Sequence, residues 1–229
     1  MGAFISSLFS SRSTPDAKGV TIDQSSATKS EETPKLLTST SREISQRACF
    51  GAGCYWGTEK YFRYDFVKKH KNVTITNTAV GFMGPVNATA NPSYREVCSG
   101  RTGHVEVFEF TFSGGSETYE MLVRYFFQFH DPTTLNKQGN DKGTQYASVI
   151  YCYDQAQLDI AARVKSELQS LLDARKLTCF TDNKVSTDIR NSTKFYPAEA
   201  EHQDYLKENP NGYCNHRIRF NAWPQLKKD

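Results

Sequence analysis

An α/β plait, a mixed sheet with helices packed on it, is the fold class that this 229-residue sequence predicts. Three observations carry it. Hydrophobic periodicity switches between the strand and helix repeats in the order β-α-β-β-α-β, the split βαβ order of ferredoxin-like folds, with a further long helix after it. Hydrophobic residues make up 38% and charged residues 23% of the chain, a globular balance. Fifteen Phe and twelve Tyr supply the large side chains that packed sheet faces need.

The elements follow in order. Arg47–Phe50 is a short strand, closed by Gly51-Ala52-Gly53. Tyr55, Phe62 and Phe66 recur at helical spacing and predict a helix across 55–70. Val73–Val80 alternates and predicts the second strand. Residues 81–103, with several Gly and Pro, form a long loop. His104–Phe112 is the third strand. Tyr119, Leu122, Val123, Phe126 and Phe127 fall at i, i+3, i+4, i+7 and i+8, an amphipathic helix. Residues 131–146 form a second long loop, and Ala147–Tyr153 is the fourth strand. Asp154 can cap a helix running to about Lys176. Residues 177–229 break into short strand and turn pieces, an irregular C-terminal segment wrapped over the core. Loops longer than ~15 residues are uncommon in a compact domain and are often functional.

The folded domain therefore spans 45–229. Residues 1–44 read as a Ser/Thr-rich tail with too little apolar surface to offset its ordering entropy. The tail opens Met1-Gly2-Ala3-Phe4-Ile5-Ser6, which fits the N-myristoylation pattern. Its first 15 residues are also Ser-rich, free of acids and carry Arg12, as organelle presequences do. One acyl chain gives marginal membrane binding and no basic cluster reinforces it, so the cytoplasm is the expected location. No apolar run approaches the ~20 residues of a membrane span. A net charge of +3 with no Lys/Arg block does not suggest a nucleic-acid groove. The six cysteines, without a secretory segment, are expected as free thiols. No CxxC or HxxxH spacing occurs, so no metal is expected.

Cys54 leads the residues that carry chemistry. It follows a strand and a Gly-Ala-Gly turn and opens a helix, where free N–H groups and the helix dipole favour a thiolate, the nucleophilic form. Tyr55 and Trp56 beside it can wall a small apolar pocket. The plain alternative is a buried cysteine at a strand–helix junction. In the third strand one face carries His104, Glu106, Phe108, Phe110 and Phe112; the other carries Val105, Val107, Glu109 and Thr111. A carboxyl buried on either face would stay protonated near neutral pH and could donate a proton. The strand alone leaves Glu106 and Glu109 both open. The two long loops bring Tyr94, Asp141 and Tyr146 next to strands, as binding groups or as ordinary turn packing. Cys214, in a flexible-looking segment, can resolve an oxidised first cysteine or be a spare thiol. Cys49, Cys98, Cys152 and Cys179 read as structural.

Together these segments resemble the type A peptide methionine sulfoxide reductases, which act on the S epimer. Gly53-Cys54-Tyr55-Trp56-Gly57-Thr58-Glu59 looks like that family's signature. Pro92 to Gly100 with Thr102 to Glu106, His130 to Pro132 with Gln138 to Ser148, and Phe195 to Leu206 look like its further blocks, in the family's order from about residue 47 to 217. The resemblance implies Cys54 as nucleophile and Glu106, not Glu109, as acid. It places Tyr94, Asp141 and Tyr146 around the sulfoxide oxygen and Tyr55 and Trp56 around its methyl group. It implies Cys214 as resolving cysteine and thioredoxin as the external dithiol reductant, with no metal or flavin. Tyr55 stands where the family usually has Phe, and no cysteine follows Cys214 to continue a relay. A monomer suffices for this chemistry. Two other classes fit the residues less fully: a Cys–His hydrolase or acyltransferase with Cys54 activated by His104 or His130, and a non-catalytic module that binds oxidised methionine.

Overall fold

The computed structural model describes residues 45–225. Gly2 and the myristoylation pattern, with the rest of the tail to residue 44, lie outside the described residues.

Strand β1 (Ser45–Ala52) sends Ala48, Phe50 and Ala52 into the main core and Cys49 to the opposite sheet face. Helix α1 (Tyr55–Glu59) follows at once and passes into a π-helical turn, Lys60–Phe66, and then α2 (Val67–Lys69). The helix expected over 55–70 is thus one rod with a widened middle, and the widening turns Tyr61, Phe62 and Phe66 all inward. Such π segments recur beside functional sites.

Strand β2 (Ile75–Met83) starts and ends later than the alternation predicts. Asn77, at φ 47°, breaks the register between Thr76 and Ala79. The strand then runs on through Gly81, which the sequence reading gives to the loop. A Cβ at Gly81 would stand 2.3 Å from the Tyr196 carbonyl oxygen, so the glycine is what lets a later strand close on this edge. The loop after β2 is interrupted by α3 (Tyr94–Cys98). Its start is a capping box: the Glu96 N–H donates to Ser93 Oγ at 3.3 Å, and the Ser93 N–H donates to the Glu96 carboxylate at 2.8 Å.

Strand β3 (Val105–Ser113) has the two faces the alternation predicts: Phe108, Phe110 and Phe112 enter the main core, Val105 and Val107 a smaller layer behind the sheet. Helix α4 (Ser116–Phe129) buries Tyr119, Leu122, Val123, Phe126 and Phe127. The second long loop is ordered by a small hairpin, β4 (Lys137–Gln138) and β5 (Asp141–Lys142), and a 3-10 turn at Thr144–Tyr146. Strand β6 (Ser148–Cys152) leads to α5 (Gln155–Asp173), where the Gln157 N–H donates to the Asp154 carboxylate at 2.8 Å. The C-terminal pieces are β7 (Asp188–Asn191), β8 (Phe195–Pro197) and α6 (Tyr205–Glu208).

The sheet is mixed, in the order β7-β6-β1-β3-β2-β8. β6, β1, β3 and β2 pair antiparallel, β7 joins β6 in parallel and β8 joins β2 antiparallel. The predicted mixed α/β architecture is therefore present, with its edges supplied by the C-terminal segment. Because β1 and β3 run antiparallel, the end of β1 and the start of β3 lie at the same rim. That rim holds Cys54 and Glu106.

Phe50 holds this arrangement from below. Its ring lies 4.7 Å from Phe62, 5.3 Å from Phe126 and 6.1 Å from Phe110. Phe50→Ala is expected to lower stability by ~3–5 kcal/mol, the usual loss for emptying a buried Phe site. Denaturant unfolding measures it; a loss below ~1 kcal/mol would mean that the aromatic cluster collapses into the space.

Candidate active site

The backbone at Cys54 is set by the glycine before it. Gly53 has φ +93°, and a Cβ there would stand 2.4 Å from Gln138 Cβ of β4. Any other residue would be strained and would push the hairpin away. Cys54 then takes the N-cap position of α1 and is 7% exposed. Glu106 is 1% exposed, and its carboxyl accepts the Tyr55 N–H at 3.1 Å, so Glu106 and Cys54 meet at one helix start.

Burial pushes the Glu106 carboxyl up to about 8, against the pull of the Tyr55 N–H and with a further push from Asp141. Burial also pushes the Cys54 thiol well above its ordinary range, and Glu106 adds to this. The Trp56 and Gly57 N–H groups pull the other way and lose. This corrects the expectation that the helix start would favour a thiolate. Desolvation outweighs a five-residue helix, and at neutral pH the site holds a carboxylic acid beside a thiol.

Aromatic rings form the wall. Tyr55 is fully buried, 5.9 Å from Phe82. Trp56 is half-buried and stacks on Tyr205 at 3.8 Å and on His202 at 5.7 Å. His202 in turn lies 4.4 Å from the Tyr94 ring. Tyr94 and Tyr146 are half-buried, and both bear on the thiol of Cys98, which stands beside them. Burial raises both phenols, so each stays a neutral donor.

Asp141 is committed to the C-terminal segment. Its carboxylate accepts from the Tyr213 hydroxyl at 3.1 Å and from the Asn215 amide at 2.7 Å. Cys214, between those two, is exposed, and its sulfur lies 3.9 Å from His216 Nδ1. All six cysteines are free thiols.

A family model described as peptide methionine sulfoxide reductase matches residues 46–228. The chain belongs to the peptide methionine sulfoxide reductase family. Among its relatives, peptide methionine sulfoxide reductase MsrA of Ectopseudomonas mendocina is 42% identical over 169 residues, 74% of this chain and 71% of that one. Mitochondrial peptide methionine sulfoxide reductase of Homo sapiens is 42% identical over 172 residues, 75% of this chain and 67% of that one. In structure the chain is similar to reduced Mxr1 from Saccharomyces cerevisiae, with TM-score 0.66 and 35% identity over 77% of this chain and 93% of the other. It is also similar to methionine sulfoxide reductase A of Corynebacterium diphtheriae, with TM-score 0.60 and 36% identity over 74% and 77%.

In this member of the reductase family, neither histidine of the hydrolase reading is hydrogen-bonded to Cys54. His130 is fully buried; its Nδ1 meets the Phe126 carbonyl at 2.7 Å and its Nε2 meets Ser148 Oγ at 2.8 Å, and burial lowers it to about 3. His104 packs against Gly84 and Tyr196. The groups that do complete the site beyond the predicted ones are His202, Tyr205, Tyr213, Asn215 and His216. All come from the C-terminal segment; His202 and Tyr205 fall in the Phe195–Leu206 block that resembles the family, whereas Tyr213, Asn215 and His216 flank Cys214 with no local pattern to mark them. Among the described residues no helix is long and apolar enough to cross a membrane.

Proposed function

We propose that this chain reduces methionine S-sulfoxide, free or in a protein, to methionine, with Cys54 as nucleophile and Glu106 as acid. The observation that supports it most is the buried Glu106, its carboxyl pushed up to about 8 by burial and bonded to the helix start that carries Cys54. A sulfoxide sulfur is a poor electrophile while its oxygen holds negative charge. The Tyr94 and Tyr146 hydroxyls donate to that oxygen, the Glu106 proton moves onto it, and Trp56 closes over the methyl group. The Cys54 sulfur attacks, its own proton returning to the emptied Glu106 carboxylate. The hydroxyl passes from the substrate sulfur to Cys54 Sγ as the S–O bond and the transient bond between the two sulfurs break, so methionine leaves and Cys54 is a sulfenic acid. No net proton is consumed, which suits a site that begins with both groups protonated.

The Cys214 thiol then condenses with the sulfenic acid, forming the Cys54–Cys214 disulfide and water. A dithiol reductant, thioredoxin in this reading, returns both thiols by exchange. The electrons come from cysteine sulfur throughout, so the sequence balances without metal or flavin. Both sulfurs are free thiols, so forming the disulfide requires the turn that carries Cys214, held to Asp141 through Tyr213 and Asn215, to bring its sulfur onto Cys54.

Reduced protein mixed with excess methionine S-sulfoxide and no reductant tests the reading. One methionine per chain with Cys54 linked to Cys214 is expected. More than one would bring another of the six thiols into the relay. No methionine, with all thiols intact, overturns the reductase assignment and returns the hydrolase.

The rest of the proposal is one catalytic domain over 45–229, acting as a monomer. We read the antiparallel set β6-β1-β3-β2 as its ferredoxin-like plait. The cytoplasm remains the proposed location. Mass spectrometry of the mature N-terminus tests it: acylated Gly2 would place the protein at a membrane, and a shortened chain would indicate import into an organelle.

A further inference from the structure

The segment that carries Cys214 is fixed at both ends. Upstream, the Asp204 N–H donates to Glu59 at 2.9 Å, and Arg63 pairs with Asp204 at 2.8 Å, tying it to the rod after Cys54. Downstream, Arg217 and Arg219 donate their N–H groups to the carbonyls of Phe129 and Gln128 at 3.1 and 2.7 Å, tying it to the end of α4. Between these anchors, His216 reaches the end of β1 just before Cys54. It is 7% exposed. Its Nε2 lies 2.7 Å from the carbonyl oxygen of Ala52, two residues before Cys54. Its ring lies against Gly57, where a Cβ would stand 2.0 Å from Nδ1. The Tyr61 hydroxyl holds its carbonyl at 3.3 Å.

The tautomer follows from these partners. A carbonyl oxygen only accepts, so Nε2 carries the hydrogen and Nδ1 keeps its lone pair. That lone pair lies 3.9 Å from Cys214 Sγ, within reach of a thiol donor. Burial and the charges of Arg219 and Lys60 lower His216 to about 4, so the ring is neutral in the working range and the arrangement persists.

We propose that His216 is a positioning residue for the step that joins Cys214 to Cys54: its Nε2–H pins the C-terminal segment to the strand end before Cys54, and its Nδ1 receives and orients the Cys214 thiol. The inference rests on the reductase reading given above. The turn over 209–215 can then rotate about a fixed point next to its target, rather than search for it. Small losses of alignment in such a step are expensive in rate.

The test separates the two chemical steps. The reduced full-length protein is oxidised either by methionine S-sulfoxide or by hydrogen peroxide, which turns the Cys54 thiol into a sulfenic acid and water. Methionine release, sulfenic acid trapped by a cyclic dione, and the Cys54–Cys214 disulfide are followed by mass spectrometry. His216→Asn is too short to reach Ala52. It is expected to slow disulfide formation roughly 10–100-fold relative to sulfenic acid formation, the size expected for losing a buried hydrogen bond that aligns a reacting group. Sulfenic acid should accumulate. His216→Gln can still donate to the Ala52 carbonyl and should restore most of the rate. A role in folding alone would slow neither step selectively. Gly57→Ala, which evicts the ring while leaving the histidine in the chain, should repeat the defect and decides the matter if His216→Asn does not fold. Disulfide formation at the parent rate in either folded variant, or a His216→Gln protein as slow as His216→Asn, overturns the proposal. If methionine sulfoxide oxidises nothing in any variant, the reductase reading fails, and the peroxide arm still ranks the variants.

Discussion

Glu106→Gln is expected to lower turnover by about 10²–10⁴-fold, the usual contribution of a general acid, while stabilising the folded protein at alkaline pH. Both effects have one cause. The carboxyl titrates near 8 in the fold against an ordinary 4.5, so the folded chain holds this proton more tightly than the unfolded chain does. The stability that this lends is fully present below about pH 4.5 and is lost as pH rises through 8. Above that, the fold carries a buried charge that disfavours it by about 3–5 kcal/mol, since each tenfold gain in proton affinity corresponds to ~1.4 kcal/mol. Glutamine is neutral at every pH, fills nearly the same volume and still accepts the Tyr55 N–H. Urea unfolding at pH 6 and pH 9 should therefore show the parent losing stability and the variant holding it. Parent activity should fall over the same alkaline range, as the acid form disappears. A variant that turns over like the parent removes the acid role. One that gains nothing at pH 9 removes the buried-charge argument.

The features that local pattern specifies were the legible ones. A Gly-Ala-Gly turn between a strand and a helix located Cys54, and period-2 alternation separated the faces of β3 and so made a buried acid visible. Alternation could not choose between Glu106 and Glu109, because both faces of that strand are covered. Glu109 is half-buried and bonded by Tyr153, on the far side of the sheet from the cysteine. What stayed hidden depends on partners distant in the chain. β2 continues through Gly81 because β8 arrives there, and Gly81 reads locally as the end of a strand. The direction of the Cys54 shift depends on how much chain covers the thiol, which a helix-start argument cannot count. The commitment of Asp141 to Tyr213 and Asn215 needs the C-terminal segment in place. The capping box at Ser93 and Glu96 is different: its spacing was there to be read within the loop.

Cys214→Ser is expected to leave the first methionine intact and to abolish turnover driven by a protein dithiol. Cys54 is 7% exposed, at the start of the helix whose Trp56 is stacked on Tyr205 and His202, whereas Cys214 is exposed. A sulfenic acid formed on Cys54 is open to a sulfoxide-sized molecule but not to the thiol of a folded partner. In the proposed mechanism it is the second cysteine that carries the oxidising equivalent to the surface, where exchange requires access to sulfur. The variant should release one methionine per chain with a trappable sulfenic acid and then stop with thioredoxin. A small dithiol able to reach Cys54 should keep it turning over. Equal turnover of parent and variant with thioredoxin would show that another thiol does the carrying. The half-buried Cys98, beside Tyr94 and Tyr146 and near Glu106, is then the residue to remove.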